Sequence, residues 1–203
     1  RGLDWLAARQ ADDGSWSDPL FPALTALALK PFIHSRHPRK EVIVARGVDF
    51  LLSCRQPDGG IYREKRRRKG GGLSGFNTAI CMTVLHAVDR DRFRDTILAA
   101  RRFVARTQHF GQHVTETEFA YNRDLRRAHT DLLNTYYVVE SMRLTQDIED
   151  KRPAGTQRAD IDWEAVIAHI EKMARQATIT REGGEAYVLP PGAPIDDDPD
   201  RVV

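Results

Sequence analysis

The chain has 203 residues, of which 41% are hydrophobic and 30% charged. That is enough to bury a real core and too apolar for an intrinsically disordered segment. Its 31 basic residues nearly balance 29 acidic ones, for a net charge of +2, so composition gives no case for a nucleic-acid or membrane-surface partner.

In chain order, Gly2 to Arg9 reads as a short helix with Leu3, Trp5 and Leu6 on one face. It ends in Gln10-Ala11-Asp12-Asp13-Gly14-Ser15-Trp16, where Gly14 allows a reversal with positive φ and Asp13 can bond back to the backbone. Phe21 to Lys30 is apolar almost all round and is expected to be an inner helix stopped by Pro31. After a polar link from His34 to Lys40, Glu41 to Cys54 forms the next helix, with Val44, Val48, Leu51 and Leu52 on one face. It runs into a second loop of the same kind, Arg55-Gln56-Pro57-Asp58-Gly59-Gly60-Ile61-Tyr62.

That second loop continues through the basic run Lys65-Arg66-Arg67-Arg68-Lys69 and three glycines. Asn77 to Val88 is the next helix with few polar positions, and Asn77 is placed to cap its start. Thr83 and His86 break this stretch well short of the roughly 18 apolar residues a membrane span needs. Asp91 to Thr107 is amphipathic, and Thr130 to Leu144 is apolar-rich with Asn134-Thr135 near its start. Gln146 to Asp160 reads as a charged linker. Trp163 to Gln176 is a further amphipathic helix, followed by a weaker loop copy, Glu182-Gly183-Gly184-Glu185-Ala186-Tyr187. The tail from Pro190 to Val203 is acidic, Pro-rich and irregular.

The order repeats: amphipathic helix, acid-glycine loop, strongly apolar helix, polar link. Successive copies lie at steps of about 45 and then about 53 residues, in the range of stacked helical hairpins. This predicts an all-α repeat domain over 1–189, with hairpins at about 2–33, 41–88 and 91–144 and a fourth begun at 162. Residues 190–203 form the tail.

The phrase from Gln10 to Trp16, its copy at Asp58-Gly59-Gly60, and the inner starts at Asn77-Thr78 and Asn134-Thr135 resemble the repeat of the prenyltransferase and squalene-cyclase superfamily. The resemblance spans roughly Gly2 to Tyr187. It implies an α/α toroid whose inner helices line a central cavity, incomplete in this chain, with self-association or missing C-terminal repeats as the ways to close it. The superfamily contains triterpene cyclases, protein prenyltransferase β subunits and thioester domains.

None of those chemistries has its motif intact here. Protonating cyclases carry Asp-x-Asp-Asp-Thr at an inner helix start; Asp131-Leu132-Leu133-Asn134-Thr135 keeps the first Asp and the Thr but has Leu133 at the proton donor's place. Ser74-Gly75-Phe76-Asn77-Thr78 has no acid at all, and a helix-start cap is the simpler role for Asn77, Asn134 and Asp131. Asp196-Asp197-Asp198-Pro199-Asp200 fits a magnesium-diphosphate pattern but lies in the Pro-rich tail and reads as solvated acid. Zinc ligation of the prenyltransferase type lacks its Asp-x-Cys pair, and His109 and His113 sit in a loop around Gly111. The surroundings of Cys54 and Cys81 exclude a Cys-Gly-Glu-Gln thioester and make no disulfide framework. No metal and no cofactor is therefore expected.

The run Lys65 to Lys69 is either a cationic loop over a cavity mouth, suited to a diphosphate or acidic glycan, or a solvated hairpin loop. The polar groups expected to face a toroid cavity are Arg126, Arg127, His129 and Asp131, with Tyr136 and Glu140 further along the same helix. These are the candidate ligand-binding residues, and Asp131 and His129 are the candidate catalytic ones. Tyr136 and Tyr137 offer rings for a cation or serve as core. The expected function is binding of a hydrophobic ligand, a glycan or a protein in the cavity. The enzyme alternatives are an isoprenoid cyclase or transferase with its acid outside this chain, or a toroid polysaccharide lyase. The chain starts at Arg1 without Met, which suggests processing or a longer parent; a soluble protein, exported or not, fits.

Overall fold

In the computed structural model, which describes residues 1–64, 73–110, 117–119, 132–176, 179–182 and 185–188, helices dominate. They are α1 (Gly2–Ala7), α2 (Pro22–Ile33), α3 (Lys40–Ser53), α4 (Ser74–Asp89), α5 (Arg94–Ala105), α6 (Leu132–Leu144), α7 (Gln146–Asp150) and α8 (Trp163–Gln176). Short strands β1 (Gln108–Phe110) and β2 (Thr117–Phe119) pair, as do β3 (Ile179–Glu182) and β4 (Glu185–Val188). No helix among the described residues is long and apolar enough to cross a membrane.

The chain divides into two compact units, Arg1–His109 with Glu118–Ile161, and Phe110–Thr117 with Asp162–Val203. In the first, α2, α4 and α6 form a row in which α4 packs against both neighbours. Helices α1 and α3 lie against α2, and α5 lies against α4. In α4 every residue from Asn77 to Leu85 is buried, as a helix flanked on several sides requires. The amphipathic α3 and α5 bury Ile43, Val48, Phe50 and Leu51, and Ile97, Leu98, Phe103 and Val104.

Three local expectations change. Helix α2 does not stop at Pro31 but runs to Ile33, with Pro31 inside its last turn. There the missing N–H removes one hydrogen bond at a fraying end, which costs far less than in mid-helix. Helix α4 begins at Ser74, so Asn77 is not its cap. The buried Asn77 instead accepts from the Ala23 N–H at 2.9 Å, capping the start of the neighbouring α2. Asn134 and Thr135 are likewise buried inside the first turn of α6, not ahead of it.

The charged stretch after α6 is no loose linker. It forms α7 and then folds back, so that the Ala159 carbonyl accepts from the buried Arg101 of α5. Glu149, fully buried, takes Arg152 on both carboxylate oxygens at 2.9 Å and the Ala159 N–H. Burial and paired charge replace a hydrophobic pattern here, which is why hydropathy alone misses the element.

Helix α7 is tied to α4 through Asp147, which accepts from His86 at 2.7 Å and pairs with Arg90 at 2.9 Å. Burial raises the Asp147 carboxyl, but the hydrogen bond and charge of His86, with Arg90 and Lys151, outweigh it and hold the group below its ordinary 3.8. A carboxyl lowered by folding contributes stability that is complete above its unfolded value and is lost as pH falls through its lower folded value. Asp147→Asn should therefore flatten the fall in stability below about pH 4. Glu149, Asp13 and Asp4, also lowered, contribute to the slope that remains. Urea midpoints measured from pH 6 downward test this, and parallel curves for variant and parent would rule it out.

In the second unit, Asp162 caps α8, its carboxylate accepting from the Ala165 N–H at 2.9 Å. Beyond α8 the expected third acid-glycine loop is a hairpin instead. Strands β3 and β4 are antiparallel, with Thr180 opposite Tyr187 and Glu182 opposite Glu185. Ile-Thr-Arg-Glu and Glu-Ala-Tyr-Val are strand-forming segments on either side of two glycines, the composition of a two-residue hairpin turn.

Candidate functional site

The two acid-glycine loops of the first unit have the same internal wiring. Asp13 accepts from the Ser15 N–H at 3.0 Å, and Asp58 from the Gly60 N–H at 3.0 Å. Gly14 N–H donates to Ala11 O, as Gly59 N–H does to Gln56 O. One residue on, Trp16 N–H donates to Thr25 Oγ1 of α2 at 3.0 Å, and Ile61 N–H to Thr78 Oγ1 of α4 at 2.9 Å. Each loop is thus pinned to the first turns of the inner helix that follows it.

The glycines meet the next outer helix, Gly14 at the Arg46 carbonyl of α3 and Gly59 at the Ala99 carbonyl of α5. The indole of Trp16 closes the end of α1 by donating to Leu6 O at 2.9 Å. The Gln10 amide reaches from the end of α1 to Gly14 O and to Ile43 O of α3. These phrases are joints, each tying its loop to the two helices that follow. The Ser15 hydroxyl and amide hold the Asp13 carboxyl below its ordinary value, as a turn acceptor should be.

What the joints position is the row of inner helices. Of the candidate ligand-binding residues, Arg126, Arg127, His129 and Asp131 lie outside the described residues. Tyr136 and Glu140 are brought together one turn apart on α6. The Tyr136 hydroxyl donates to Glu140 Oε1 at 2.9 Å, and the Tyr136 side of this pair is 55% exposed. That hydrogen bond raises the phenol above its ordinary value, so the group stays neutral and can act as donor or acceptor.

Around this pair stand three further groups. Tyr137 meets Tyr136 edge-on at 5.2 Å between centroids, and Phe76 from the start of α4 meets Tyr137 at 5.3 Å and 89°. Lys30, from the last turns of α2, pairs with Glu140 Oε2 at 3.8 Å. The ion pair joins the two helices that flank α4, so Glu140 sits between a phenol and an ammonium group. Lys30 was not singled out from the sequence, yet it is the one charged side chain in an otherwise apolar inner segment. That isolation was its signal.

The arrangement offers exposed aromatic surface, a carboxylate and an ammonium group within one patch. It supplies no nucleophile with an adjacent base. Among the described residues no group of three or more His, Cys, Asp or Glu side chains could hold a metal ion. The side chain of His109, His113, the run Lys65 to Lys69 and the acidic tail lie outside the described residues. Cys54 and Cys81 are buried free thiols, and burial, with Cys54 nearby, pushes the Cys81 thiol up.

No family model matches the chain, and comparison with curated proteins and with solved structures finds no match.

Proposed function

We propose that this chain is a repeat domain of the α/α-toroid type, akin to the prenyltransferase and squalene-cyclase repeat, which binds a glycan on the inner-row patch of α6. Support for the repeat type comes from the duplicated joint. Two loops with the same acid, the same glycine and the same threonine acceptor on the next inner helix are what a hairpin repeat needs at each junction. A closed ring needs more hairpins than this reading assigns, so closure by further repeats or by a second copy belongs to it.

The observation that carries the ligand class is the exposed Tyr136 hydrogen-bonded to Glu140. A sugar ring presents a C–H face to an aromatic ring and hydroxyls to a carboxylate, and this pair offers both within one helical turn. An isoprenoid would instead need an apolar cavity, and the apolar side chains of α4 from Ala79 to Leu85 are packed away.

Native mass spectrometry of the full chain against a panel of neutral and acidic oligosaccharides tests the assignment. A retained oligosaccharide is expected, with affinity reduced about tenfold in Tyr136→Ala and in Glu140→Gln. A co-purifying lipid, or oligosaccharide binding indifferent to both substitutions, would replace this reading.

A further inference from the structure

A second site is built away from α6, where the turn before α2 approaches the end of α3. An open cleft of about 320 Å³ is lined by Leu20, Ser53, Gln56, Arg63 and Glu64. That volume is at the small end of ligand pockets and suits a molecule of a few heavy atoms.

Three of the polar side chains in this cleft, Arg63, Ser53 and Gln56, are already held in place. Arg63 donates through Nε to Cys54 Sγ at 3.3 Å and through Nη2 to Ser53 Oγ at 3.2 Å, with its guanidinium over the Phe50 ring at 5.3 Å. Ser53 is fixed in turn by donating to Phe50 O at 2.7 Å. Three contacts therefore hold the Arg63 side chain, whose charge also acts on the Asp13 carboxyl, and neither of these hydrogen bonds uses its Nη1. Gln56 donates through Nε2 to Tyr62 O at 2.7 Å, which leaves Oε1 as the acceptor end of that amide. Glu64 is exposed and has no ion pair with a described residue.

We infer that this cleft binds a small zwitterion, a carboxylate carrying a nearby ammonium group with a short aliphatic side chain, as in a free α-amino acid. The fixed guanidinium receives the carboxylate at little further ordering cost. The ammonium group falls to Glu64 and Gln56 Oε1, and Leu20 covers the aliphatic part. A simple anion such as phosphate would be repelled by Glu64, and a simple amine by Arg63. Opposite charges on adjacent residues select a ligand that carries both.

The test uses the full chain with four probes: valine, isovalerate, isobutylamine and inorganic phosphate. Calorimetric titration should show saturable binding of valine, about tenfold weaker binding of isovalerate and of isobutylamine, and none of phosphate. Arg63→Gln should weaken valine binding about tenfold, and Glu64→Gln should remove the preference for valine over isovalerate. Thermal melts identify any loss of folding in Arg63→Gln; Glu64 is exposed, so its variant decides the matter if the first fails. Phosphate or isovalerate binding as tightly as valine, no saturable valine binding, or a preference unchanged by Glu64→Gln would each overturn the assignment.

Discussion

Replacing Arg101 by alanine is expected to destabilise the first unit by about 3–5 kcal/mol. The side chain is fully buried at 0% exposure. It donates to Met142 O at 2.6 Å and Thr145 Oγ1 at 2.7 Å, to Gln146 Oε1 at 2.9 Å and to Ala159 O at 3.2 Å. Asp160 completes the group with an ion pair at 3.6 Å. These partners come from the end of α6, from α7 and from the returning segment, so one guanidinium holds α5 to all three. Burial pushes its pKa down, and the charges of Asp160, Glu149, Asp150 and Asp147 oppose that.

Truncation would take this donor from the Met142 and Ala159 carbonyls, the Thr145 hydroxyl and the Gln146 amide oxygen, and their desolvation would no longer be compensated. The comparison that isolates burial is Arg158→Ala. Its ion pair with Asp150 spans 3.3 Å, but both side chains are more than half exposed, so at most about 1 kcal/mol should be lost. Equal urea midpoints for the two variants would mean that the Arg101 network does not hold the unit together.

That network also marks the limit of what was legible beforehand. The alternation of amphipathic and apolar helices was readable because a buried stripe leaves a period in hydropathy, and α2, α3, α4 and α8 lie where that period puts them. The segment from Gln146 to Asp160 has no such period. Its order comes from Arg101, about fifty residues away in sequence, and a polar residue does not announce a distant partner. Asn77 makes the same point on a smaller scale. Asn near an apolar run signals a cap, and it is one, but for the helix beside it.

The candidate patch was half legible. Tyr136 and Glu140 are four residues apart, so helical geometry alone brings them together. Lys30 and Phe76 join them only through the packing of α2 and α4 beside α6.

Gly14 and Gly59 of the acid-glycine loops should be far less replaceable than Gly155 or Gly2, and in a predictable order. Gly14 has φ +86°, and a β-carbon there would lie 2.2 Å from the Arg46 carbonyl oxygen. Gly59 has φ +93°, with the Ala99 carbonyl oxygen 2.7 Å from the same hypothetical atom. Alanine at either position must adopt a left-handed backbone and also push an outer helix away. Gly155 has φ +80° but nothing within 4 Å, so Gly155→Ala meets the backbone strain without the collision. Gly2 is in α1 with an open surround and an ordinary φ, and alanine there favours helix.

The expected losses are about 3 kcal/mol or more for Gly14→Ala, about 2–3 for Gly59→Ala and about 1 for Gly155→Ala, with a slight gain for Gly2→Ala. Urea midpoints with an unchanged m-value would read them directly. If Gly14→Ala cost no more than Gly155→Ala, positive φ alone would explain the glycine. A cost ordered by the approach to Arg46 and Ala99 instead means that each loop sets the spacing between successive outer helices. That spacing role explains why an acid-glycine phrase recurs in a chain whose helices otherwise share little sequence.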